Sequence, residues 1–311
     1  MIQIDLITGF LGSGKTTFIK KYARYLMERG ERIGILENDY GAVNVDMLSL
    51  NELRGEQCEL EMLAGGCDLE THKRRFHTKL ISMYMSGYTR VLVEPSGIYD
   101  VDEFFDVLHE EPLDQWYEIG NVLTIVDARL SDEISGKADY MLASQVACAG
   151  RVIFSRVQEA SREEIAHTVE HLNRVCGQFH CRRRFGEDIL VMDWQEMGSD
   201  VLEALAHVGY RSEDHVKLPF ETDNRFESLM YLNRPAKTQE ELRDMVERTL
   251  NDARFGHVHR VKGFAPLPDE SFLEINATQD TLTMMPIANG QNVMIVIGEM
   301  LSEAEIASLW N

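Results

Sequence analysis

The chain has 311 residues, 44% hydrophobic and 27% charged, and a formal net charge of −21. That composition excludes a disordered chain and suits one large domain or two ordinary ones. The acidity argues against nucleic acid and anionic lipid as partners, because the only basic cluster, "CRRRF" at 181–185, is too short to line a groove.

In chain order, the apolar runs at 2–8, 32–38, 90–96, 121–128 and 150–156 are rich in β-branched residues and nearly continuous. Strands buried on both faces of a parallel sheet have that texture. Between them lie amphipathic stretches such as "TTFIKKYARYLMERG", with Phe18, Ile19, Tyr22 and Leu26 on one face and Gly30 as a stop. The alternation predicts a doubly wound α/β domain, extended by a helix over 161–175 and a strand near 188–193. From 222 the texture changes to a strand (226–232), a helix (238–250), several strands up to 297 and a closing helix (302–310). The expected organisation is a nucleotide-binding domain over 1–215 and a smaller α+β domain over 222–311, with the boundary in the polar segment 211–224. The longest apolar runs, such as "VMIVI" at 293–297, are too short to span a bilayer. The start shows no secretory signal, and five scattered cysteines suit a reducing, cytoplasmic setting.

"GFLGSGKTT" fits the phosphate-loop pattern G-x-x-x-x-G-K-[ST], directly after a predicted strand and at the start of a helix. Gly9, Gly12, Ser13, Gly14, Lys15, Thr16 and Thr17 form the expected phosphate-binding set. The glycines let successive N–H groups face phosphate oxygens, Lys15 reaches the β/γ-phosphates, and the Thr16 hydroxyl is an Mg²⁺ ligand. Glu94 in "VLVEPSG" ends an apolar strand where the sheet's carboxyl edge meets the phosphates. It is a candidate to hold Mg²⁺ through water or to orient the attacking water. Asp39 and Asp46, in "ENDYGAVNVD", are candidates for a switch segment that senses the γ-phosphate.

The ordered set "TGFLGSGKTT", "ENDYGAVNVD", "EPSGI", "TIVDA" and "HRVKGF" resembles the CobW-type P-loop GTPases, relatives of the urease and hydrogenase nickel-insertion GTPases. The resemblance extends over essentially the whole chain, because "RVKGF" and the final "VMIVIGEMLSEAEI" look like the family's C-terminal domain. It implies a P-loop NTPase that couples GTP hydrolysis to delivery of a metal, often zinc or cobalt, or of a metallocofactor. A client metalloprotein or corrinoid protein is then the partner, and a homodimer is a candidate assembly.

Two segments depart from that family. Its guanine-reading N-K-x-D element corresponds here to Ser155, Arg156, Val157 and Gln158. Gln158 offers one acceptor and one donor where aspartate accepts two bonds, so guanine selectivity is expected to fall and ATP becomes an alternative to GTP. Arg156 is expected to stack on the purine. The family's G-C-x-C-C thiolates correspond to Gly66, Cys67, Asp68, Leu69 and Glu70, leaving only Cys67. A weaker transition-metal site from Cys67, Glu70 and His72 is one reading. The other is an ordinary helix with Leu69, Phe76, Leu80 and Met83 inward and His72 and His77 on its basic, exposed side.

Other clusters read as structural. Cys176, His180 and Cys181 suit a helix end and turn, and His167 and His171 suit a solvated helix face opposite Ile165, Leu172 and Val175. The acidic run 100–114 suits a solvated helix with Phe104, Phe105 and Leu108 inward. His257 and His259 share one face of a predicted strand, as metal ligands, an interface pair or an exposed face. The expected function is an NTP hydrolase acting as a metal or metallocofactor chaperone. The alternatives are a nucleotide-gated assembly switch without metal transfer and a P-loop small-molecule kinase, which the absence of a recognisable basic lid disfavours.

Overall fold

A computed structural model describes every residue except 40–49, 65–68, 132–133, 214–225, 280, 288–289 and 311, and excludes the side chains at 38, 39, 64 and 69. The chain divides into two compact units, Met1–Leu218 and Pro219–Asn311.

The first unit runs β1 (Ile2–Thr8), α1 (Lys15–Glu28), β2 (Ile33–Asp39), β3 (Cys58–Ala64), α2 (Leu69–Tyr84) and β4 (Arg90–Pro95). It continues with α3 (Val101–Leu108), α4 (Leu113–Trp116), β5 (Tyr117–Asp127), α5 (Gly136–Ala147), β6 (Arg151–Ser155), α6 (Arg162–Gln178), β7 (Ile189–Leu190) and α7 (Ser199–Leu205). The seven strands form one parallel sheet in the order β3-β2-β4-β1-β5-β6-β7. β1 therefore lies between β4 and β5, and the carboxyl ends of all three open on the segment joining β1 to α1. Phe18, Ile19, Tyr22 and Leu26 of α1 are buried in one cluster with Ile7, Ile33, Ile35, Leu123 and Ile125. Each fully buried side chain of this size contributes about 1.5–3 kcal/mol.

Burial corrects several readings. His72 is fully buried rather than exposed, because it stands four residues before Phe76 and eight before Leu80 on one face of α2. Its Nδ1 lies 2.6 Å from Glu103 Oε1 of α3, and Glu103 is itself 2% exposed within the run expected to be solvated. His171 is also buried, one turn from Thr168 and Val175, with Nε2 2.8 Å from Asp139 Oδ1. Ile165, expected inward, is only half-buried. β3 has no counterpart in the sequence reading, and the strand near 188–193 shrinks to Ile189–Leu190. Arg183 of the basic cluster is buried and donates to the carbonyls of Val146 (2.7 Å), Ala147 (3.3 Å) and Ala149, closing the end of α5.

The second unit contains β8 (Glu227–Leu232), α8 (Gln239–Asn251), β9 (His257–Pro266), β10 (Phe272–Ala277), β11 (Leu282–Ile287), β12 (Val293–Glu299) and α9 (Glu303–Trp310). Its strands form an antiparallel sheet in the order β11-β10-β9-β12-β8. α8 begins in a capping box, Thr238 with Glu241, and buries Leu242, Met245, Val246 and Leu250 in a core with Val258, Val261 and Val296. In this antiparallel sheet β10 and β11 alternate between more and less buried positions, whereas β12 is buried along its whole length.

Candidate nucleotide site

Between Thr8 and Lys15 the backbone takes a course that only glycine follows without strain. Gly9, Gly12 and Gly14 hold φ angles of 149°, 76° and 98°. A Cβ on Gly9 would also lie 2.2 Å from the Ile125 carbonyl oxygen, so β5 presses directly on the loop. Gly14 is the N-cap of α1, with no side-chain cap and no acid in the first turn. The helix thus directs its positive end and N–H groups without a side-chain cap at the loop, which is the construction of an anion site.

Lys15 is 6% exposed, and its Nζ donates to the carbonyls of Gly9 (2.9 Å) and Phe10 (3.4 Å). The ammonium is thereby held at the loop. Ser13 is buried, Thr16 half-buried and Thr17 exposed. The Thr16 hydroxyl donates to Glu94 Oε1 at 2.7 Å, and Glu94, at the end of β4, is 4% exposed. A hydroxyl beside a carboxylate is a hard-oxygen donor set and fits Mg²⁺ rather than a soft metal. Glu37 of β2 is the register partner of Glu94 and is 3% exposed. This second buried carboxylate escaped the sequence reading, although it opens the quoted "ENDYGAVNVD". Two neighbouring buried carboxylates favour a cation beside them.

The segment after β4 is packed onto the loop. A Cβ on Gly97 would lie 2.6 Å from the Leu11 nitrogen, and buried Gln145 donates to the Gly97 carbonyl at 3.0 Å. Asp39 ends β2, but its side chain lies outside the described residues, as does all of Asp46.

The segment expected to read the base follows β6. Ser155 is 3% exposed, Arg156 has φ 53°, and Gln158 lies exposed in a 3-10 turn. The Arg156 guanidinium pairs with the Asp127 carboxylate and donates to the Gly12 carbonyl at 3.0 Å. The expected stacking arginine therefore ties this segment to the phosphate loop. Trp194, also missed, would stand 3.5 Å from a Cβ on Gly14, and its indole N–H donates to the Phe154 carbonyl at 2.9 Å. A lone Trp in the polar run "DWQE" carries no pattern that would have signalled it.

Cys67 lies outside the described residues. Of its suggested partners, Glu70 is exposed while His72 is buried against Glu103, because residues two apart on a helix point in different directions. Glu70 and His72 are therefore not brought together. Cys176 and Cys181 are buried, whereas His180 between them is exposed.

With this geometry in place, residues 3–183 match the CobW/HypB/UreG nucleotide-binding domain family. The chain is 28% identical to "Zinc chaperone YjiA" of Escherichia coli over 185 residues, 56% of this chain and 54% of that protein. It is 27% identical to "Zinc chaperone YeiR" of the same bacterium over 164 residues, 52% of this chain and 49% of that protein. The chain thus spans about half the length of these two relatives. Against "Zinc-regulated GTPase metalloprotein activator 1" of Saccharomyces cerevisiae it is 22% identical, across 99% of this chain and 82% of that protein.

Proposed function

This chain belongs to the CobW/HypB/UreG nucleotide-binding family, and from that membership we propose that it binds and hydrolyses a nucleoside triphosphate to drive delivery of a metal or metallocofactor to a client protein. The observation that carries the proposal is the Thr16–Glu94 hydrogen bond at the foot of a glycine loop whose lysine is held in place. The relatives' printed names, two zinc chaperones and a GTPase metalloprotein activator, support the direction of that output.

In this reading the loop N–H groups and Lys15 bind and orient the β- and γ-phosphates. Thr16 and Glu94 would hold Mg²⁺, which would supply positive charge against the phosphates. Glu94 orients the attacking water, with Asp39 as the second candidate for that task. Gln158 and Arg156 make a base pocket with weaker guanine preference than a paired aspartate provides, so GTP is the expected substrate and ATP a competitor.

Calorimetric titration with GTP, ATP and their non-hydrolysable analogues, with and without Zn²⁺, Co²⁺ and Ni²⁺, tests the proposal. Metal binding that depends on nucleotide supports delivery. Absence of nucleotide binding overturns the reading outright. A second reading, an assembly switch without metal transfer, is favoured by the burial of His72 away from Glu70. Nucleotide binding with no metal binding in any state would select it.

A further inference from the structure

We propose that the second unit carries a transition-metal site of its own, built from His257, His259 and Glu299. The site lies wholly outside residues 3–183 and rests on its own geometry, independent of how the nucleotide domain is read. Among the described residues, these three are the one group of His, Cys, Asp or Glu whose ligand atoms all lie within 4.8 Å of one another.

The backbone brings them together through a bulge. β9 and β12 are antiparallel, with His257 opposite Glu299. Their register shifts between Ile297, paired with Arg260, and Gly298, paired with Val258. His259 is thereby the extra residue on β9, and bulges re-aim the side chains they carry. Two residues apart on a regular strand, side chains start about 6.6 Å from each other. Here the imidazole centroids are 4.5 Å apart and inclined at 68°, so the rings converge.

Glycines allow the backbones this approach. A Cβ on Gly298 would lie 2.4 Å from the His257 carbonyl oxygen, and one on Gly256 would lie 2.2 Å from that of Met300. Met300, next to Glu299, has φ 50°, a conformation that the surroundings must enforce.

The three polar atoms gather within 4.8 Å of one another. His257 Nδ1 is 3.2 Å from His259 Nε2, which is 2.8 Å from Glu299 Oε1. The single N–H that His259 Nε2 can carry would have to be shared between these two neighbours, so neither contact is a full hydrogen bond at the same time as the other. A tetrahedral ion with bonds of about 2.0–2.1 Å separates its ligand atoms by about 3.3 Å, so the imidazole nitrogens already stand near that spacing. The His259 and Glu299 side chains are only 8% and 7% exposed, and Phe226 stands edge-on to His259 at 5.4 Å. His257 is the most open of the three. Two ligands are thus held in place and a third faces the approach route.

The donor set identifies the class of metal. Two imidazoles and a carboxylate suit Zn²⁺, Co²⁺, Ni²⁺ or Cu²⁺; Mg²⁺ and Ca²⁺ take oxygen ligands, and Cu⁺ takes sulfur. Three protein ligands leave a fourth position for water or for a donor from another molecule, the pattern of a site that exchanges its ligand rather than a closed structural one.

Titration of the full chain with Zn²⁺ and with Co²⁺, following heat and visible absorption, tests the site. One equivalent of Co²⁺ is expected to give d–d bands without a thiolate charge-transfer band. His257→Ala and Glu299→Gln are each expected to weaken binding at least about tenfold. Thermal melts of the variants identify any loss due to misfolding, and the open His257 is the variant least exposed to it. Retained affinity in folded H257A overturns the proposal. So does a thiolate band that disappears in Cys67→Ser. Nucleotide affinity measured on the same samples separates failure of this site from failure of the nucleotide reading.

Discussion

The Thr16 hydroxyl donates a 2.7 Å hydrogen bond to Glu94 Oε1, joining the first turn of α1 to the end of β4 across 78 residues of sequence. The phosphate loop and the acidic strand end are therefore one unit, further closed by Gly97 against Leu11. Glu94→Gln keeps the shape and an acceptor for Thr16 but removes the charge. We expect single-turnover hydrolysis to fall about hundredfold or more, with nucleotide affinity changed much less. A glutamine variant that hydrolyses at the parent rate removes Glu94 from the chemistry.

Another buried carboxylate serves the fold rather than the site. Asp5, fully buried in β1, accepts from Arg90 Nε (2.8 Å) and Nη2 (3.1 Å), from the Asn121 backbone N–H (2.8 Å) and from the Tyr22 hydroxyl (2.9 Å). Burial pushes the Tyr22 phenol well above its ordinary range, which keeps it a donor. Asp5→Ala strands the Arg90 cation, itself 3% exposed, and should cost about 3–5 kcal/mol in urea unfolding. Replacing Arg90 by Met in that background should recover part of the loss. Additive single and double effects would contradict a coupled pair.

The sequence and the structure agree where one physical signal dominates. Near-continuous apolar runs announce the buried parallel strands, and the phosphate loop declares itself because its glycines and lysine answer one requirement. The polarity of His72 and His171 masks their spacing: each lies on the i, i+3/i+4 stripe of its helix's own core residues. Both are buried against carboxylates, Glu103 and Asp139, which belong to other elements and have no local signature. β3 escaped because "CELEMLA" carries polar residues at alternate positions, as an edge strand does. Trp194 reaches the phosphate loop only through tertiary packing.

The thiols give a pH-dependent prediction. Burial pushes Cys58 and Cys148 up to about 11 from 9.0, so the fold prefers their protonated form. Their contribution to stability is fully present below about pH 9 and is lost as pH rises through about 11. At pH 8 both should resist alkylation in the native protein and react once it is unfolded in urea. Peptide mapping of the alkylated protein reads this directly, and rapid native labelling of either cysteine would contradict its burial.

In the proposed function, base selectivity rests on one exposed side chain, Gln158. Arg156, at φ 53°, anchors the base-recognition segment to Asp127 and the Gly12 carbonyl, which leaves Gln158 exposed in the following turn. A glutamine there accepts one hydrogen bond from guanine where a carboxylate accepts two with a charge behind them. Hydrogen bonds to charged groups contribute about 1.5–3 kcal/mol, so Gln158→Asp should raise the preference for GTP over ATP by about ten- to hundredfold. Competition of GTP and ATP against a fluorescent nucleotide analogue, on parent and variant, measures that ratio. The anchoring of Arg156 predicts that the gain comes from tighter GTP binding, since ATP presents no N1–H and exocyclic amine pair to the new carboxylate. An unchanged ratio would mean that the base is read elsewhere, with Trp194, close beside Gly14, the first residue to test.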